Sequence, residues 1–217
     1  MISSNLWKRQ INLMERSNLS TIPARIAWGT SVVFSPFLVP IATAVGVIQK
    51  HAAPQNALRW LAIVVLFVTV LPVLSIAVMA RYAKVSDLHL HNREERLLPL
   101  CCTLVSMVVG TVLLHQLGAA REIVWAGIAY IVNSLIFSAI TPMWKISFHS
   151  SVATGCVTVL VMLVNPHFGW LFLLTPLIAW ARVYRKRHTL LQTVVGALLA
   201  VGNTVFILYM AKLGGQS

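Results

Sequence analysis

The sequence predicts an all-α fold, a polytopic transmembrane helical bundle of six to seven spans preceded by an N-terminal interfacial helix. Three observations carry this. Of 217 residues, 58% are hydrophobic and 10% charged, and the mean hydropathy is +0.82, so there is too little polar surface to coat a soluble globule. Apolar stretches of about 20 residues, the length that crosses a hydrocarbon core, recur along the chain. Lipid cannot satisfy exposed backbone groups, so these stretches must close their own hydrogen bonds as helices.

Residues 1–25 form a polar arm. Within it Trp7, Ile11 and Met14 recur at helical spacing beside Lys8, Arg9 and Arg16, which suits a short helix lying on headgroups and ended by Pro23. The composition also fits a disordered arm. It lacks the early apolar region and small-residue cleavage site of a removable signal peptide, so none is expected. Residues 26–217 read as a single transmembrane domain with spans near 26–48, 58–81, 97–117, 122–141, 149–165, 168–183 and 189–212. The fifth and sixth are short and divided by Asn165-Pro166-His167, a turn signal. Pro36, Pro40, Pro72 and Pro176 fall inside spans and are expected to kink them. Cys101, Cys102 and Cys156 lie in apolar stretches at spacings that match neither a disulfide framework nor a zinc site, and read as packing residues.

Lys and Arg number 17 against five acids, Glu15, Asp87, Glu94, Glu95 and Glu122. Such an excess suits an anionic partner and also follows from topology alone. In the seven-span arrangement, Lys50, Arg59, Arg121 and Lys212 fall on one side and every other cation on the opposite side. That asymmetry places the N-terminus, and the loops near 82–96, 142–148 and 183–188, in the cytoplasm. The expected location is integral, in a bacterial-type cell membrane.

Those three loops precede the third, fifth and seventh spans, so each delivers polar residues to a helix N-terminus on one face. Free N–H groups and nearby cations at such ends bind phosphate. The first loop carries Lys84, Asp87, His89, Arg93, Glu94, Glu95 and Arg96; alone it reads as a solvated loop whose cations pair with its acids. In the second, Lys145-Ile146-Ser147-Phe148-His149, Ser147 alone reads as a helix cap. In the third, Arg182, Arg185, Lys186, Arg187 and His188 alone read as a topological or anionic-lipid anchor. His188 and Gln192 stand four apart, which puts them on one helix face, where the amide is expected to orient the imidazole.

Together, the spacing Arg182, five residues, His188, with Ser147-Phe148-His149 two spans earlier and an Arg-rich loop before that, resembles the type 2 phosphatidic acid phosphatase family. The resemblance runs from about residue 82 to the end. That family carries Lys, six residues, Arg-Pro; then Pro-Ser-Gly-His; then Ser-Arg, five residues, His, three residues, Asp. Here Ala181 replaces the Ser of the third motif and Gln192 its Asp, while Ile146 and Phe148 replace the Pro and Gly of the second. In the first, eight residues separate Lys84 from Arg93, Arg96 is not followed by Pro, and His89 to Arg96 has the right spacing with the wrong first residue.

The resemblance implies a lipid-phosphate phosphatase acting on a phosphatidate-like or prenyl phosphate within membrane lipids, without metal or other cofactor. His188 would attack phosphorus to give a phosphohistidine, with His149 protonating the leaving oxygen before water completes hydrolysis. Arg182, Ser147, Arg96 or Arg93, and Lys84 would hold the non-bridging oxygens. Gln192 can accept one bond from the imidazole but lacks the carboxylate's charge, so turnover slower than the family's is expected, unless Asp87 or Glu95 substitutes.

Three other readings compete. A binding protein or transporter for an anionic lipid would keep the cationic site without turnover, yet no span carries a charge deep in its middle, leaving only His115 and Asn133 to mark a path. An intramembrane prenyltransferase, which Asn92-Arg93 through Pro99 superficially resembles, needs Asp-rich pairs for Mg²⁺, and Asp87 is the chain's single Asp. Nucleic-acid binding is disfavoured because the basic residues sit in short loops beside the bilayer. Oligomeric state leaves no mark in the sequence.

Overall fold

The computed structural model describes residues 21–81 and 97–214, and all regular structure among them is helical. The order is α1 (Ile22–Val33), α2 (Val39–His51), α3 (Pro54–Val64), α4 (Leu71–Arg81), α5 (Leu97–Gln116), α6 (Arg121–Ile140), α7 (Phe148–Val159), α8 (Leu174–Tyr184) and α9 (Leu190–Leu213). A π turn, Val65–Val70, joins α3 to α4, a second, Leu160–Val164, extends α7, and a 3-10 stretch, Pro166–Leu173, leads into α8. Four helical runs are long and apolar enough to cross a membrane: Pro54–Met79, Leu98–Gln116, Arg121–Ile140 and Leu190–Leu213. The expected interfacial helix at Trp7 to Arg16 lies outside the described residues.

The span expected at 26–48 is instead two helices separated at residues 34–38, a correction with a clear cause. Pro36 sits in the gap and Pro40 in the first turn of α2. With 12 and 13 residues, α1 and α2 reach about 18 and 20 Å, each short of the roughly 30 Å core. Backbone groups opened by the break find partners inside the protein, as such breaks require. Tyr130 Oη donates to Pro36 O at 2.9 Å, Thr69 Oγ1 to Phe37 O at 2.8 Å, and Phe37 N to Ser35 Oγ at 3.3 Å.

The other prolines sit where their helices tolerate them. Pro23 opens α1, where its fixed φ suits the first turn, and Pro176 lies in the first turn of α8. Pro72 comes after Leu71, just beyond the Val65–Val70 π turn, whose wider winding accommodates the missing N–H. At the expected Asn-Pro-His turn, Asn165 Oδ1 accepts from His167 N at 2.9 Å and the chain reverses.

Helix α7 is the buried axis of the bundle. Every residue from Ser150 to Cys156 is buried, and all are small or β-branched, which lets neighbouring backbones approach. Its hydroxyls turn inward onto its own carbonyls: Ser151 Oγ donates to Ser147 O at 2.8 Å, Thr154 Oγ1 to Ser150 O at 2.8 Å, and Thr158 Oγ1 to Thr154 O at 2.8 Å. Helix α9 packs on it closely. A Cβ added at Gly196 would fall 2.5 Å from Ser151 Oγ and 3.3 Å from Ser147 O, so glycine there lets α9 seat the loop that precedes α7. Asn133, weighed above as a path residue, is a buried tie between α6 and α9, with Nδ2 donating to Thr204 Oγ1 at 2.9 Å. His115 is exposed in the last turn of α5. Large apolar side chains such as Leu135, Leu198 and Phe206 point outward, as lipid requires.

At the opposite end of α7 the connections are also tied. His51 Nε2 donates to Leu163 O at 2.7 Å, Lys50 Nζ donates to Val164 O, and Arg121 donates to Ala211 O. His51 Nδ1 lies 3.7 Å from Glu122. These contacts anchor α2 and α6 away from the site and leave the loops at the other end to shape it.

Candidate functional site

The turn from α8 to α9 is held by its own backbone. Arg185 N donates to Ala181 O at 3.1 Å, Lys186 N to Val183 O at 2.8 Å, and Arg187 N to Arg182 O at 3.0 Å, while Lys186 takes a left-handed φ of 52°. Thr189 then caps α9: its Oγ1 accepts from Gln192 N at 3.3 Å, and Gln192 Oε1 accepts from Thr189 N at 3.0 Å, a reciprocal capping box. His188, between turn and cap, directs its ring at the loop before α7, where its Nδ1 donates to Lys145 O at 3.2 Å.

That loop is clamped in return. Ser147 N donates to Gln192 O at 3.3 Å, and Ile146 and Ser147 are fully buried. One residue into α7, His149 Nε2 donates to Ser31 O at 3.2 Å, on α1. A carbonyl oxygen only accepts, so each ring carries its proton on the bonded nitrogen. In the neutral ring the lone pair then falls on Nε2 of His188 and Nδ1 of His149.

The two imidazoles and Arg182 line one cavity of about 390 Å³, together with Lys145, Arg185 and Arg187. Four cationic side chains around one recess give it a strongly positive potential, and no Asp or Glu among the described residues lines it. Its other wall comes from α1 and the helix break, through Trp28, Ser31, Ser35, Pro36 and Phe37. A second cavity of about 180 Å³ continues from it between Pro99, Leu100 and Thr103 of α5, Ser134 and Ser138 of α6, and Phe148, sharing His149, Arg182 and His188. Thus the first turns of α5 and α7 and the residue preceding the α9 cap border one space.

Sequence expectation and structure part at two residues. Ser147, expected to hold phosphate, has no exposed surface, its Oγ lies 3.3 Å from Ser150 Oγ, and it lines neither cavity, because α9 presses the loop inward. Gln192, expected to orient His188, spends its amide on the α9 cap, and the Lys145 carbonyl holds the ring instead. Lys84, Arg93 and Arg96, with Asp87, His89 and Glu95, lie outside the described residues.

No family model, no curated protein and no solved structure matches the chain. The site must speak through its own chemistry. Lys145 was given no role by its sequence context and the α1 wall was not foreseen; the signal for the wall was Ser35-Pro36 inside an otherwise apolar stretch, a polar residue beside a helix breaker. Among the described residues no group of three or more His, Cys, Asp or Glu side chains is assembled. What the recess offers is a cradle of guanidinium and ammonium groups for a phosphate-like anion, with two imidazoles of fixed tautomer beside it.

Proposed function

We propose that the chain is an integral-membrane lipid-phosphate phosphohydrolase working through a phosphohistidine. The bundle would cross six to seven times, with the N-terminus and the site on the cytoplasmic face of a bacterial-type cell membrane. The observation that supports this reading is the meeting of His149, Arg182 and His188, brought from two distant loops, in one cationic cavity.

In the proposed reaction Arg182, with Lys145, Arg185 and Arg187, holds the non-bridging oxygens as charge develops. The Nε2 lone pair of His188 forms a bond to phosphorus as the phosphorus–oxygen bond to the lipid breaks, and His149, entering this step as the imidazolium with Nε2–H kept on Ser31 O, gives its Nδ1 proton to the departing oxygen. Water then attacks the phosphohistidine, His149 takes its proton, and inorganic phosphate leaves with His188 restored. Where a carboxylate would stabilise imidazolium, the neutral carbonyl of Lys145 orients the ring without offsetting its charge, so slow turnover is expected.

Purified protein in EDTA is expected to release inorganic phosphate from phosphatidate or a prenyl phosphate. Thermal stabilisation by a lipid phosphonate without any phosphate release would instead mark a non-catalytic anionic-lipid binder or transporter. Gln192→Ala separates the two accounts of His188. Because the carbonyl of Lys145 holds the ring, activity is expected to fall less than about tenfold, while loss of the capping box costs about 1 kcal/mol of stability. A loss of about 10⁴ with the melting temperature unchanged would return Gln192 to the catalytic group.

A further inference from the structure

Beyond the phosphate recess, a third cavity opens within the bundle between α2, α3, α5, α6 and α7. It adjoins the site through shared walls. The recess and the passage share Pro36, Phe37, His149, Arg182 and His188, and the passage and this inner bore share Tyr130 and Val152. The three taper from about 390 through 180 to 90 Å³. No charged side chain lines the bore.

The bore presents hydrocarbon. Three of its polar side chains face protein partners: Tyr130 Oη donates to Pro36 O, Thr204 Oγ1 accepts from Asn133, and Thr43 bonds Cys156. Passage and bore together are deep, since Ser138 in the passage and Ile123 at the far end of the bore lie on the same helix, about 22 Å apart at 1.5 Å per residue. That exceeds one leaflet's share, about 15 Å, of the hydrocarbon core. It is also narrow, because helices close in at glycines: a Cβ at Gly110 would stand 2.5 Å from Phe67 Cβ, and one at Gly127 2.7 Å from Thr111 Oγ1.

We propose that the lipid phosphate handled here carries a single long hydrocarbon chain, drawn past Tyr130 into the bundle while the phosphate stays among Arg182, Lys145 and the imidazoles. The placement of the phosphate rests on the function proposed above; the tail site rests on the bore. A diacyl lipid has to leave its second chain outside, so recognition favours prenyl, long-chain alkyl or lyso phosphates over phosphatidate.

The test uses alkylphosphonates, which bind without being hydrolysed, on the full chain in detergent. Octadecylphosphonate is expected to bind about tenfold or more tighter than butylphosphonate, and Ala126→Phe, which fills the bore, to abolish most of that difference while butylphosphonate affinity stays within about twofold. If Ala126→Phe fails to fold, a chain-length series on the parent supplies a second readout: affinity should rise with each added methylene from butyl- to octadecylphosphonate. Equal affinity for long and short chains in the parent, or tighter binding of phosphatidate than of its lyso form, would overturn the single-chain site. Chain-dependent binding with no phosphate release from any lipid would remove the enzyme and keep the bore. Release that ignores chain number and length would do the reverse.

Discussion

Replacing His188 with alanine is expected to lower phosphate release by on the order of 10⁴ to 10⁶, the scale seen when covalent catalysis loses its nucleophile or the group that activates it. The expectation comes from position. His188 lies between a hydrogen-bonded turn and the α9 cap, with Nδ1 on Lys145 O and its ring lining the cationic recess. The loss should appear in kcat, because the imidazole acts in the reaction rather than in gripping the ground state. Rapid quenching of the parent protein with labelled substrate should trap an acid-labile, base-stable phosphoprotein that the variant does not form. His188→Ala hydrolysing as fast as the parent, at an unchanged melting temperature, would end the nucleophile assignment.

Arg182→Ala is expected to cost about 10² to 10³ in kcat/KM, comparable to removing one donor from a site where transition-state charge develops. Arg182 lines both the recess and the passage, at the end of α8 where Ile178 and Ala181 are buried behind it, so its guanidinium is carried on a rigid support. Arg182→Lys should recover little, because an ammonium keeps the charge and loses the planar pair of donors that fits two phosphate oxygens. By contrast Arg187→Ala, on the rim of the turn, should cost about tenfold or less. Steady-state kinetics on the three variants decides the matter: activity of Arg182→Ala within about twofold of the parent would remove it from the phosphate cradle.

Much of this was legible in the chain and some was not, for reasons that individual residues make plain. Long apolar runs such as Arg121–Ile140 and Leu190–Leu213 announce themselves because hydropathy is local and additive. Arg182, His149 and His188 were legible as candidates because spacing alone puts them at helix ends on one face. Ser147 and Gln192 sit otherwise than their spacing suggests because their placement depends on competition. A glutamine three residues after a threonine serves its own helix cap more readily than a neighbour's ring, and a serine under α9 is buried by packing that no window of sequence contains. The break at Ser35-Pro36 was readable only as a kink. That it becomes a wall of the site depends on Tyr130 and Thr69, distant in sequence, accepting the burden of its freed carbonyls.

The membrane as solvent and the helical character of the chain follow from composition and order, since each is a sum over neighbouring residues. Which cations share a recess, which carbonyl steadies which imidazole, and whether an apolar bore runs on from them are decided only when helices choose their rotation and depth. Those choices are contacts between residues far apart in sequence, and no local pattern encodes them.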